Sequence, residues 1–172
     1  MSNEPTVPAG WDRAALESHL ASPRRGWARD LTSRGLEVAV ESDAGPLARQ
    51  ITGQDVDTPA HTAVWLVLAL AGLGRTGEPG SGVTLGAYLA GLGRHRGREH
   101  YRRIVSYSAG SEPARTVQMV AAVLRGGGRG PAPDPVLLAA DLADQLSPDA
   151  QVRRRVAMRW ASTLAEAGVN AT

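Results

Sequence analysis

Residues 63–73 read AVWLVLALAGL, eleven apolar residues without a break. The flanking signals are those of a helix. Thr58 is a capping residue, Pro59 falls at the first helical position, and Asp57 lies just outside. At the far end Gly72 and Gly74 supply a stop, and Arg75 suits the negative end of the helix dipole. The pattern predicts a helix from about Thr58 to Leu73 that is apolar on nearly every side. A surface helix has one apolar stripe, so a helix of this kind belongs at the centre of a bundle. It falls short of the roughly 20 apolar residues that a membrane span needs. His61, in its first turn, reads as a helix-terminal or packing residue.

The rest of the composition agrees with helices packed on helices. The 172 residues hold no Phe, four Trp and three Tyr, so the core is a Leu, Val and Ala mixture, which favours helix over sheet. Length alone allows one domain with a real core. Cys is absent, which removes disulfides, thiolate metal sites and thiol nucleophiles. Residues 1–10 are polar and proline-containing with no apolar run, and read as a disordered lead ahead of a cytoplasmic domain spanning 11–172.

Outward from the central stretch, Trp11 to Leu20 reads as a first helix and Pro23 to Thr32 as a weaker second one. LEVAV at 36–40 alternates like a strand but has no partner, and reads as loop; Leu47 to Ile51 suggests a single helical turn. GRTGEPGSG at 74–82 is the candidate boundary between two lobes, in a loop of about 74–83. Thr84 caps a helix to about Leu92, with Leu85, Tyr88, Leu89 and Leu92 inward. In RHRGREHYRR at 94–103 the second half reads as helical, with Tyr101, Ile104 and Val105 on one face. Ser111 caps a helix to Arg125 that buries Val117, Val120, Ala121 and Leu124. GGGRGPAP follows as a linker. Asp134 and Pro135 open a helix that buries Leu138, Leu142 and Leu146 and turns Asp141, Asp144 and Gln145 out. Ser147-Pro148-Asp149 restarts a helix with Val152, Val156, Trp160 and Leu164 in one stripe, beside a basic side of Arg154, Arg155 and Arg159. The expected fold is an all-α bundle of about seven to nine helices. Its expected core includes Val64, Leu66, Leu68, Leu70, Leu89, Val120, Leu142 and Trp160.

Catalytic signatures are lacking. Without Lys no phosphate loop of the Gly-rich, Lys-bearing kind can form, and GGGRG follows no strand. His19, His61, His95 and His100 do not pair with carboxylates at metal-site spacing, and the Arg around His95 and His100 would repel a cation. No Ser stands in an elbow context. The reading is of a non-enzyme without metal or cofactor.

What remains is charge. All 19 basic residues are Arg, a bias for which a GC-rich coding sequence accounts in large part. Arg offers a planar, permanently charged fork suited to phosphate. The charge is uneven: residues 91–130 hold eight Arg against two acids, and every other quarter of the chain is slightly negative. Such clustering has a local electrostatic cost that a polyanion would relieve. The expected nucleic-acid-binding residues are Arg94, Arg98, Arg102 and Arg103, extended by Arg125, Arg154 and Arg155. The competing reading is a solvated helix face. Tyr101 could stack a base, but its phase with Ile104 and Val105 favours burial.

The order of segments resembles a known family. PAHTAVWLVLALAG (59–72), TLGAYLAGLGR (84–94), GREHYRRIV (97–105), VQMVAAVLR (117–125), DPVLLAADLADQL (134–146) and VRRRVAMRWAS (152–162) are similar, in that order, to segments of the CasB family. This is the small subunit of the type I-E CRISPR Cascade complex. The likeness covers about residues 58–163. It departs at Ala87, where the family often has Arg, at Tyr101 in place of Phe, and at Thr163-Leu164 in place of an aromatic pair. The N-terminal third matches loosely through WARDL at 27–31, and no role follows for Arg24, Arg25, Arg29 and Arg34. The resemblance implies an all-helical, non-catalytic subunit present in two copies. Its implied partners are the other Cascade subunits, a second copy of itself, crRNA, and the target and non-target DNA strands, and it would stabilise the R-loop. The alternative is a helical adaptor or regulator whose basic patch meets an acidic protein or duplex DNA.

Overall fold

In the computed structural model the central helix begins where its cap and proline place it. Thr58 Oγ1 accepts the His61 N–H at 3.3 Å, Pro59 occupies the first position, and the helix runs Pro59–Gly72. The structure describes residues 5–28, 43–109 and 113–169. Among these the chain is all-α: α1 (Arg13–Ala21), a 3₁₀ turn (Arg25–Ala28), α2 (Ala44–Thr52), α3 (Pro59–Gly72), α4 (Leu85–Gly91), α5 (Arg94–Ala109), α6 (Pro113–Arg125), α7 (Pro135–Gln145) and α8 (Ala150–Val169). No strand occurs among the described residues, and no helix there is long and apolar enough to cross a membrane.

Every residue of α3 from Ala63 to Ala71 is buried. The helix packs most extensively against α7, then against α2 and the 3₁₀ turn, with α6 and α1 completing its cover. All eight residues expected in the core are at most 1 % exposed. His61 is buried and its Nε2–H donates to the Gly45 carbonyl at 3.1 Å, so it joins α3 to α2 as a packing residue.

Several elements differ in extent from the sequence reading. The turn expected at 47–51 is a nine-residue helix, α2. Only the 3₁₀ turn stands for the described part of the second helix, with Trp27 and Ala28 buried. Its remainder, the LEVAV stretch, Arg29, Arg34 and the expected Ser111 cap lie outside the described residues. Of the N-terminal lead, residues 5–10 are described; Pro5 is buried and Val7 packs against the core. The glycine-rich stretch before α4 is tied to the start of α7. Asp134 Oδ2 accepts the Gly80 and Gly82 N–H groups at 3.0 Å, Oδ1 caps α7 through Val136 N–H, and Gly77 N–H reaches the Pro133 carbonyl.

The assignment of α7 needs correction. Asp141 and Gln145, expected outside, are both 1 % exposed, and Leu146 is only half-buried. The reason is that α7 lies against α3, α8 and α1 together, so it has no free face to give its polar residues. Asp141 is accommodated by α8: its Oδ1 accepts from Arg159 Nη2 at 2.6 Å and its Oδ2 from Trp160 Nε1 at 2.8 Å. Arg159, expected on the exposed basic side, is therefore an internal residue with an 18 % exposed side chain. It borders Trp160, and burial of that stripe carries it inward.

Candidate nucleic-acid interface

The basic run is one helix from its first residue. Gly93, at φ 95°, ends α4, and α5 starts at Arg94, a turn earlier than the sequence suggests. Gly97 and Ile104 are buried. A Cβ on Gly97 would overlap the Leu89 carbonyl, so only glycine lets α5 approach α4 at this point. Tyr101 is half-buried and its hydroxyl donates to the Ala157 carbonyl of α8 at 3.1 Å. It is a packing residue bound to α8, not a free ring for a base.

With these side chains inward, the arginines face out. Arg94, Arg98, Arg102 and Arg103 are all exposed, as are Arg125, Arg154 and Arg155. Arg94, Arg98 and Arg102 recur every four residues and form one stripe, rising about 12 Å along the helix. Arg103 lies further round and pairs with Glu99 one turn away. It is the only one of the seven with an ion-pair partner among the described residues, and such exposed pairs contribute little.

Helix α5 runs antiparallel to both of its long neighbours. On one side Gly97 is level with Leu164 and Tyr101 with Ala157 of α8. On the other Ser108 is level with Thr116 and Arg96 with Gly126, at the two ends of α6. Arg154 and Arg155 thus stand just past the level of Arg103, on the α8 flank. Arg125 stands near the level of Arg98, on the α6 flank. The seven residues are spread over three helices with α5 in the middle.

Met158, 63 % exposed, is the one large apolar side chain exposed among the described residues. One turn on from Arg154 and Arg155, it shares their face of α8. The expected binding residues do not include Arg96, which sits about half a helical turn from Arg94 and Arg98, nor Arg75 and Arg129. These three gather on the α6 flank instead. The phase of Arg96 within its run is the signal that separates it from the stripe.

Two titrations mark the neighbourhood. Burial holds the His100 imidazole below its ordinary value of 6.5, helped by Arg96 and Arg103 and opposed by Glu99. The unfolded chain therefore takes up this proton more readily than the folded one. His100 contributes stability that is present above about pH 6.5 and is lost as pH falls toward the folded value. His100→Gln is expected to flatten the acid-side slope of unfolding free energy, and Arg96→Ala to raise the His100 titration midpoint followed by NMR. An unmoved midpoint would show that Arg96 does not act on this ring. Burial also pushes the Asp144 carboxyl up, against the opposing pull of Arg159 and Arg155.

No group of three or more His, Cys, Asp or Glu able to hold a metal ion exists among the described residues. In comparison with known proteins, no family model, curated protein or solved structure matches this chain.

Proposed function

We propose that this protein is a non-catalytic, helical nucleic-acid-binding subunit that holds strands by their phosphate backbone through the arginines of α5, α6 and α8. The observation that carries this reading is the stripe Arg94, Arg98 and Arg102 along an exposed helix, flanked by exposed Arg154 and Arg155, with no ion pair or hydrogen bond to an acidic side chain for any of the five among the described residues. Contacts of this kind are indifferent to base sequence. With the segment order that resembles CasB, the same chemistry suits the small subunit of a Cascade complex, where guide pairing reads the sequence and protein arginines hold the opened strands. Two copies, the other Cascade subunits, crRNA and both DNA strands are its partners on this reading.

The test is binding of single- and double-stranded oligonucleotides across a salt series. With about four phosphates neutralised, log affinity should fall against log salt with a slope of roughly −3 to −4. The triple variant Arg98→Ala, Arg102→Ala, Arg103→Ala should fold normally, each exposed change costing within about 0.5 kcal/mol. Its slope should be shallower by about 2, because Arg103 already shares its charge with Glu99. In a reconstituted complex it should assemble yet lose R-loops as salt rises. An affinity flat across salt, or R-loops equal to the parent's at physiological salt, rejects the proposal.

Met158 favours a second reading, docking of an acidic protein, since an exposed Met amid arginines is a common interface composition. Met158→Ser separates the two: phosphate-backbone affinity should be unchanged, whereas protein docking should weaken.

A further inference from the structure

On the α6 flank, away from the Arg98–Arg102 stripe, a cleft of about 610 Å³ opens between the turn that joins α4 to α5 and the turn that follows α6. Its walls are unusual in having almost no side chains: five of the eight lining residues are glycine, at 91, 93 and 126–128. The others include Arg96 and Arg129. At the floor, Gly127 takes the left-handed conformation with φ 66°. A Cβ on Gly128 would fall 2.8 Å from Leu92 Cδ2 and 3.4 Å from Tyr88 Cε2, so the backbone lies directly on those side chains. The N–H groups of Gly128 and Arg129 donate to no acceptor among the described residues.

Guanidinium groups close on this turn from two directions. Arg75 Nη1, from beyond the end of α3, lies 3.8 Å from the position a Gly127 Cβ would take; Arg96 Nη2, from α5, lies 3.7 Å from that of Gly126. Both act on the Tyr88 phenol in the direction of ionisation, although burial outweighs them and holds it above its ordinary range. None of Arg75, Arg96 and Arg129 has an ion-pair partner among the described residues. The cleft also meets the first turn of the 16-residue helix α5, whose free N–H groups and dipole favour an anion. The opposing carbonyl ends of α4 and α6 are partly quenched: Leu89, Ala90, Ala122 and Leu124 carbonyls each accept a backbone N–H from the turns themselves.

We propose that this cleft is a binding site for a phosphoryl group carrying two or more negative charges. Arg96 and Arg129 line the cleft and Arg75 reaches the Gly127 turn that forms part of its wall; unpaired charges this close repel one another, and a multivalent anion relieves that repulsion where a single carboxylate leaves most of it. Planar guanidinium forks match phosphate oxygens two at a time. Exposed glycine backbone allows the close approach that phosphate-binding turns use. The volume falls in the roughly 300–1,000 Å³ range of small-ligand clefts. The site is separate from the Arg98–Arg102 stripe of α5 and does not depend on the function proposed for it. The phosphoryl group can belong to a free phosphoanion or to the end of a nucleic-acid strand, and the chemistry of recognition is the same.

The experiment titrates the whole protein with inorganic pyrophosphate by calorimetry, and in parallel with an oligonucleotide bearing either a 5′-phosphate or a 5′-hydroxyl. Two variants accompany it: the triple Arg75→Ala, Arg96→Ala, Arg129→Ala, and Gly91→Glu. Gly91 lines the cleft, and a Cβ there meets nothing within 4 Å, so the new carboxylate enters the site without disturbing the fold. Pyrophosphate binding that drops at least tenfold in both variants, and not in the Arg98, Arg102, Arg103 variant, establishes a free phosphoanion as ligand. A 5′-phosphate preference lost in the same two variants establishes a strand end. If pyrophosphate fails to bind and the oligonucleotides show no 5′-phosphate preference, or if any binding persists unchanged in both cleft variants, the site does not exist.

Discussion

Asp141→Ala is expected to destabilise the protein by about 3–5 kcal/mol, the usual effect of removing one partner of a buried ion pair. Arg159 would lose the one carboxylate it hydrogen-bonds, keeping only the longer-range pull of half-buried Asp144, and the buried Trp160 N–H would lose its acceptor. Arg159 Nε already has no partner, so the guanidinium would be left without a hydrogen bond. At roughly 2–4 °C per kcal/mol for a chain of this size, the melting temperature should fall by about 6–20 °C. Asp141→Asn should cost less, because the amide oxygen still accepts one bond. The pH response separates charge from shape. Burial pushes the Asp141 carboxyl above its ordinary range, more than its bonds to Arg159 and Trp160 pull it down. The folded chain therefore holds this proton more tightly than the unfolded one. The stability it confers is complete below the unfolded value near 4 and is lost as pH rises through the folded value. In the Asn variant that part of the pH dependence should vanish. A loss under 1 kcal/mol for Asp141→Ala would mean that water reaches the pair.

The second large effect lies at the centre of α3. Leu68 is fully buried within the core that α2, α6 and α7 share with α3. Leu68→Ala should cost about 2–5 kcal/mol, the upper part of that range applying if the neighbours do not collapse into the space. Urea unfolding should show a lower midpoint with an unchanged slope. A fall in slope would instead indicate that the bundle loosens before it unfolds.

The two variants probe different kinds of legibility. Leu68 could be placed from sequence because α3 is apolar throughout, and a helix with no polar side has one possible location. Thr58, Thr84 and Asp134 could be placed because caps act within three residues. Asp141 and Arg159 could not. Their bond spans 18 residues across a helix break, and hydropathy turns each of them outward separately. The same limit affects the basic site. The exposure of Arg98 and Arg102 follows from the phase of α5 alone. The convergence of Arg75, Arg96 and Arg129 depends on α3, α5 and the turn after α6 meeting, which no local pattern encodes. Arg75 reads locally as a helix-end residue and Arg129 as part of a linker, and both readings are correct as far as they go.

The central helix gets its largest cover from far along the chain. α7 ends 73 residues after α3, with α4, α5 and α6 made in between. On a ribosome adding about 5–20 residues each second, α7 is completed about 4–15 s after the apolar run of α3. Helix α2 and the 3₁₀ turn precede α3 and can shield part of it at once, but the surface that meets α7 stays uncovered for that interval. Pairings so distant in sequence also close late in refolding. The segment that organises the finished bundle is thus the one most exposed to self-association while the chain is being made, and a slower ribosome lengthens its exposure.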